Sequence, residues 1–311
     1  MAKIAWIGLG NMGGPMTANL VGAGHEVVGY DLDEGAKAAA EAHGVRIAAS
    51  TADAVADADA VFTSLPKGAH VRQVFEGDGG VWANAPKTAL LMDCSTVDVE
   101  TSRYCHEHSA ELGFRFVDAP VSGGISGAAA GTLTFMLGGA DADVAEARGY
   151  VEPMAGNIFA VGGPTMGIAA KLANNMMLFI SLLAASEGSQ LAASMGLDAK
   201  TFWDIARVSS GDSWAMRTWY PVPGIVDSSA ANHDFDATFS TLLAQKDVSL
   251  ALAAGDGAGL HLPAAHLALD QFEQLIEEGY GGKDCSLIVK YASADGTVAG
   301  FEPDPAPATA E

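Results

Sequence analysis

Short apolar runs punctuate the first half of the chain, each closed by Gly, Pro, Asp or a Ser-Thr pair. They are Lys3-Ile-Ala-Trp-Ile-Gly8, Glu26-Val-Val-Gly-Tyr-Asp31, Ala60-Val-Phe-Thr-Ser-Leu65, Ala89-Leu-Leu-Met-Asp93, Arg115-Phe-Val-Asp118 and Leu133-Thr-Phe-Met-Leu137. Continuous rather than alternating hydrophobicity at this length predicts strands buried on both faces. Helical stretches fall between them, from about Met12 to Ala23, near 98–112 and over 141–150. Strands alternating with helices imply right-handed βαβ units and a mainly parallel sheet with helices on both sides.

The pattern changes beyond about Gly163. Ala, Leu, Met, Glu and Gln dominate the segments 166–195, 198–208, 238–256 and 263–279, and strand-like runs cease. The expected architecture is therefore an α/β Rossmann-like doubly wound sheet over residues 1–163, followed by an all-α domain over 164–293. The end, 294–311, carries Pro303, Pro305 and Pro307 among small and acidic residues and reads as a mobile tail.

Composition narrows the function classes. With 311 residues, 49% hydrophobic and 17% charged, the chain is long enough for two domains that each bury a core. A formal charge of −22 disfavours nucleic acid as a partner, and it means that any anionic cofactor must find local compensation. The longest apolar run, Met176 to Ala185, is about half of the ~20 residues that cross a bilayer, so no membrane partner is expected. The first residues enter a strand directly without signal-peptide form, which points to the cytoplasm. Cys94, Cys105 and Cys285 are odd in number and far apart, and the eight histidines are scattered, so neither disulfides nor a metal site is expected.

Gly8-Leu9-Gly10-Asn11-Met12-Gly13 is a GxGxxG sequence. Alone it could mark a turn and nothing more. Here a strand precedes it, a helix follows, and Asp31 closes the next strand, which is the context of a dinucleotide site. Gly8 serves the tight turn, Gly10 the approach of the pyrophosphate and Gly13 the packing of helix on strand. The helix N-terminus offers N–H groups and the positive end of its dipole to phosphates, so backbone can answer the adverse charge. Asp31 can accept from both ribose hydroxyls and would repel a 2′-phosphate. No arginine follows at 32–35, so NAD is expected in preference to NADP. Leu65-Pro66 and Ser95-Thr96 close the next strands, where a doubly wound sheet holds its ligand. They and His70 are candidates for the nicotinamide side, with a plain solvated residue an equal reading of His70.

Lys171 and Asn175 lie four residues apart in Gly167-Ile-Ala-Ala-Lys-Leu-Ala-Asn-Asn-Met, on one face of a predicted helix. Spacing alone favours a lysine that snorkels to solvent. If the helix borders a nicotinamide site, the lysine is instead the natural proton carrier for an alcohol being oxidised, since burial or a second cation lowers a lysine's proton affinity. Ser122-Gly123-Gly124 follows a strand and offers a hydroxyl and two unencumbered amides, either an anion nest or a flexible loop.

Taken together, Gly8-Leu-Gly-Asn-Met-Gly-Gly-Pro-Met16, Asp93-Cys-Ser-Thr96, Asp118-Ala-Pro-Val-Ser-Gly-Gly124, Gly167-xxx-Lys171-xxx-Asn175 and Lys246-Asp247 resemble the β-hydroxyacid dehydrogenase family from residue 3 to about 292. Ser209-Ser-Gly-Asp-Ser-Trp214 and Tyr220-Pro-Val-Pro-Gly224 are more selective and resemble its hydroxyisobutyrate branch. The resemblance implies Lys171 as catalytic lysine and Asn175 as its substrate-positioning partner. It implies a carboxylate seat at Ser122, Gly123 and Gly124, and contact of Lys246 with both cofactor and substrate. It also implies a homodimer or homotetramer. Trp214 could supply an apolar wall for a methyl-bearing substrate, whereas Tyr220 and Phe235 read better as core. The implied reaction is NAD-dependent oxidation of 3-hydroxyisobutyrate in valine breakdown. A sibling acting on tartronate semialdehyde or 3-hydroxypropionate, and a non-catalytic NAD-binding module, are the alternatives.

Overall fold

Ile4, Ala5, Trp6 and Ile7 are each at most 2% exposed, as befits the middle strand of a sheet covered on both faces. In the computed structural model, which describes residues 1–302, the first unit holds nine strands. These are β1 Lys3–Ile7, β2 Glu26–Tyr30, β3 Arg46–Ile47, β4 Ala60–Thr63, β5 Leu90–Asp93, β6 Arg115–Asp118, β7 Val121–Ser122, β8 Leu133–Gly138 and β9 Ala155–Gly162. Their order is β3-β2-β1-β4-β5-β6-β8-β7, with β9 paired to β8. The pairs from β3 through β6 are parallel. β8 runs antiparallel to β6 and β7, which closes the sheet on a reversed edge. The sheet is thus mainly parallel, as the apolar runs predict.

The order 3-2-1-4-5-6 reverses direction between β1 and β4, and the crevice outside the carboxyl ends of those two strands is where such sheets bind nucleotides. Trp6 on β1 stacks on Phe62 of β4 at 4.8 Å, a pair that holds the two strands flush at the switch point. Helices not foreseen from hydrophobicity include Glu34–Ala42, capped by the Asp33 side chain, and Gly68–Phe75. Both are short and carry polar faces.

Met166–Ser194 is a single 29-residue helix, long and apolar enough by length and composition to cross a membrane. It exceeds the apolar run read from the sequence because Ala, Gly and Ser extend it on both sides. The two compact units of the chain part within this helix, after Leu172. The second unit adds helices Ala199–Ala206, Trp214–Thr218, Thr241–Gly257 and Pro263–Glu277 and a 3-10 run, Cys285–Ala292. Its core gathers Phe179, Phe235, Phe272 and Ile288, with Phe179 edge-on to Phe272 at 5.4 Å. Two isolated antiparallel bridges, Asp236 to Lys283 and Ser240 to Asp284, are the extended pairing in an otherwise helical unit. Of the tail expected over 294–311, Phe301 packs edge-on against Phe235 and Tyr280. Residues 303–311 lie outside the described residues.

Candidate active site

The first unit opens a cavity of about 1230 Å³ at the switch point. Of the expected cofactor residues, Gly8, Leu9, Gly10, Asn11, Asp31, Leu65, Pro66 and His70 line it. Met12 packs against the core, and Gly13 and Thr96 are not among the residues that line the cavity. Gly8 adopts φ +99°, and a Cβ there would lie 2.3 Å from the Ser64 carbonyl oxygen. Gly13 lies against β1: its Cβ would lie 1.9 Å from the Gly8 oxygen and 2.7 Å from Trp6 Nε1. A Cβ on Gly10, by contrast, would meet nothing within 4 Å and would project into free space beside the loop. Each glycine thus has a distinct physical cause, as the motif implies.

The helix that follows, Gly13–Gly22, has no side-chain N-cap and no acidic residue in its first turn. Helices Glu34–Ala42, Val99–Glu111 and Thr241–Gly257 are capped by Asp33, Asp98 and Ser240. Helix ends leave N–H groups in want of an acceptor, and here an entering anion can supply it. Asp31 accepts from Leu9 N through Oδ2 (2.6 Å) and from Asp33 N through Oδ1 (2.9 Å). A carboxylate has about four acceptor positions, so capacity for two ribose hydroxyls remains. The cradle therefore fits a dinucleotide.

Behind the cavity floor lies a polar layer that hydrophobic patterning did not assign. Asp93, at the end of β5, accepts from Thr63 Oγ1 (2.7 Å) and Ser95 N (3.0 Å), while Ser95 Oγ accepts from Leu65 N (2.8 Å). This ties the ends of β4 and β5 together under Leu65. Burial raises the Asp93 carboxyl from 3.8 to about 6, against the lowering effect of those hydrogen bonds and with a further push from Asp118. The folded state binds this proton more tightly than the unfolded chain does, so its contribution is full below pH 3.8 and lost as pH rises to about 6. Relative to Asp93→Asn, which cannot ionise, the natural protein should lose about 2–3 kcal/mol of unfolding free energy from pH 4 to 7. Urea titrations across that range check this, and a pH-independent difference would contradict it.

Ser122 closes β7, and Gly123 and Gly124 follow at φ +133° and +66°, exposed at the start of helix Gly124–Ala130. That helix gives Ile125 and Ala129 to the cavity wall, so the proposed carboxylate seat borders the dinucleotide site. Lys171 is 8% exposed, and Asn175, one turn on along the same helix, is 2% exposed. Spacing alone favoured solvent for the lysine; the fold buries it. Asn175 is held on both sides: its Oδ1 accepts from Asn174 (3.1 Å) and its Nδ2 donates to Asp247 Oδ2 (2.6 Å). Oδ1 of Asp247 lies 3.2 Å from Lys246 Nζ, an ion-pair contact without hydrogen-bond geometry. Asp247 therefore joins two residues that the sequence motif named separately. Trp214 remains 42% exposed and meets Trp219 edge-on at 4.9 Å, whereas Tyr220 and Phe235 are fully buried core. Among the described residues no group of three or more His, Cys, Asp or Glu side chains could hold a metal ion.

Residues 3–163 match the model of the NAD-binding domain of 6-phosphogluconate dehydrogenase, and 165–292 match the NAD-binding domain of NADP-dependent 3-hydroxyisobutyrate dehydrogenase. A probable 3-hydroxyisobutyrate dehydrogenase of Mycobacterium tuberculosis is 45% identical over 93% of this chain and 97% of its own length. An NAD-dependent L-serine dehydrogenase of Pseudomonas aeruginosa is 38% identical over 93% of this chain and 97% of its own. Among solved structures, M. tuberculosis 3-hydroxyisobutyrate dehydrogenase with L-serine superimposes with a TM-score of 0.87 at 42% identity, covering 94% of this chain and 100% of that one.

Proposed function

Since the chain belongs to the NAD-dependent β-hydroxyacid dehydrogenase family, we propose that it oxidises 3-hydroxyisobutyrate to methylmalonate semialdehyde, as in valine breakdown. The observation that carries this reading is a buried lysine one helical turn ahead of a buried, doubly anchored asparagine. Bound NAD supplies the hydride acceptor. Lys171 takes the proton from the alcohol oxygen, and returns it to the aldehyde oxygen in the reverse direction. Asn175 spends one amide hydrogen on Asp247 and directs the other to the alcohol oxygen. Ser122 and the amides of Gly123 and Gly124 hold the substrate carboxylate, and Lys246 adds a cation for substrate and cofactor. Trp214 supplies the wall for the methyl group.

L-serine is the second reading. It is favoured by the names of a relative and of a superimposed structure. Serine shares the carboxylate and the primary alcohol and replaces the methyl by an ammonium. Absorbance at 340 nm, followed at alkaline pH with 3-hydroxyisobutyrate, L-serine, glycerate and 3-hydroxypropionate, ranks the substrates. NAD should support turnover roughly 100-fold better than NADP, because a 2′-phosphate would face the Asp31 carboxylate. NADH from none of these acids would overturn the dehydrogenase reading and leave an NAD-binding module.

The long helix presents Met177, Ala184 and Leu191 to solvent along one stripe. A second copy of the chain covers that stripe in a homodimer or homotetramer. Lipid is the poorer cover, because Lys171, Asn174, Asn175, Glu187 and Gln190 share the helix and polar groups are costly in a bilayer. Light scattering on the eluting protein checks the assembly, and a monomer at micromolar concentration would refute it. The three buried free thiols suit the reducing cytoplasm.

A further inference from the structure

Asp118 ends β6 with its side chain 2% exposed, and nothing in the proposed chemistry uses it. Its carboxylate reaches across the chain to the start of the long helix. Oδ1 accepts from Thr165 N (3.1 Å) and Oδ2 from Ile168 N (2.8 Å), so both oxygens hold amides of the first helical turn. Oδ1 also lies 2.7 Å from Nε2 of the buried His106; a carboxylate only accepts, so the ring donates from Nε2. An anion at a helix N-terminus is favoured by the dipole and by the orphan amides there.

Two further features show that the fold is built around this contact. A Cβ on Gly138 would lie 2.6 Å from Asp118 Oδ1, and one on Gly167 would lie 2.7 Å from Oδ2 and 2.5 Å from the Met136 oxygen. Both glycines keep room for the carboxylate. Thr165 adopts φ +71°, a left-handed conformation that is strained for a non-glycine residue and persists only when its surroundings over-determine it. The amide held by Oδ1 belongs to that residue.

We propose that Asp118, braced by His106, is a positioning residue for Lys171: it pins the first turn of the helix to β6 and so fixes where the lysine, one turn beyond Ile168, stands relative to the cofactor-binding strands. The proposal rests on Lys171 being the proton carrier. A misplacement of about 1 Å can cost roughly 100-fold in rate with binding little changed.

The test compares Asp118→Asn, nearly identical in shape, with Lys171→Ala and the natural protein. For Asp118→Asn we expect kcat to fall about 100-fold, with KM for the hydroxy acid and Kd for NAD within about twofold. Amides 165–172 should exchange hydrogen faster. Unchanged kcat in folded Asp118→Asn would overturn the proposal. So would a parallel deterioration of kcat, KM and NAD affinity, which marks general loss of structure. If Asp118→Asn does not fold, His106→Leu carries the test, because it keeps the carboxylate and leaves no side-chain donor to brace it. A kcat lowered about 3- to 10-fold at constant KM is then expected, and unchanged kcat overturns the proposal. Should Lys171→Ala itself turn over normally, the proton-carrier reading fails, which is a separate result from a harmless Asp118→Asn.

Discussion

Lys171→Ala yields a folded protein that binds NAD and has lost at least roughly 100-fold, and up to about 10,000-fold, in kcat. General acid–base catalysis by a positioned side chain contributes on that scale, and alanine leaves no group at that position to take the proton. The cofactor should not notice, because the lysine is absent from the wall of the dinucleotide cavity. Steady-state rates at 340 nm, paired with quenching of protein fluorescence by NADH, separate the two effects. Near-normal turnover would remove Lys171 from the mechanism. Equal losses of turnover and of NADH binding would make it a cofactor residue instead.

The second large effect comes from two glycines of the same loop, which should fail in opposite ways. Gly13→Ala places a Cβ 1.9 Å from a backbone oxygen and 2.7 Å from the Trp6 indole nitrogen. Neither can move cheaply, because Trp6 is fully buried, stacked on Phe62 and donates from Nε1 to that same Gly8 oxygen (2.9 Å). The variant should lose roughly 3 kcal/mol, on the order of 10 °C in Tm, and most of its NAD affinity. Gly10→Ala meets no atom within 4 Å, so its Tm should stay within about 2 °C of the natural protein. The added methyl nevertheless stands where the pyrophosphate approaches, so NAD should bind at least roughly tenfold more weakly. Thermal unfolding with and without NAD distinguishes them. Equal stability of the two variants, or full NAD affinity in Gly10→Ala, would contradict the assignment of packing to one glycine and ligand approach to the other.

The six strands read from apolar runs all occur, with ends shifted by a residue or two; β6 matches at both ends. Continuous burial writes a continuous apolar run, and that is a local signal. β9 escaped notice because it pairs only with β8 and shows neither continuous burial nor the period of two, its partly buried positions recurring every third residue. Helix Gly124–Ala130 was hidden because its residues read equally well as a loop. The long helix, Met166–Ser194, matches the segment 166–195 read from composition, but what holds its start was not visible. That start depends on an acceptor supplied 47 and 50 residues earlier by Asp118.

What the sequence determined by itself is what short-range chemistry decides. Glycine spacing after an apolar strand, an acid at the end of the next, and a lysine four residues ahead of an asparagine on an apolar helix were all readable from neighbours. Only the tertiary structure decided that Lys171 is buried, that Asn175 is oriented by a carboxylate 72 residues away, and that Asp118 holds the helix between them and the sheet. The physical reason is the shortness of these side chains. A carboxylate reaches only the groups that backbone pairing brings within about 3 Å of it. Which groups those are depends on strand order and register over the whole sheet, and neither is written in the spacing around Lys171 and Asn175.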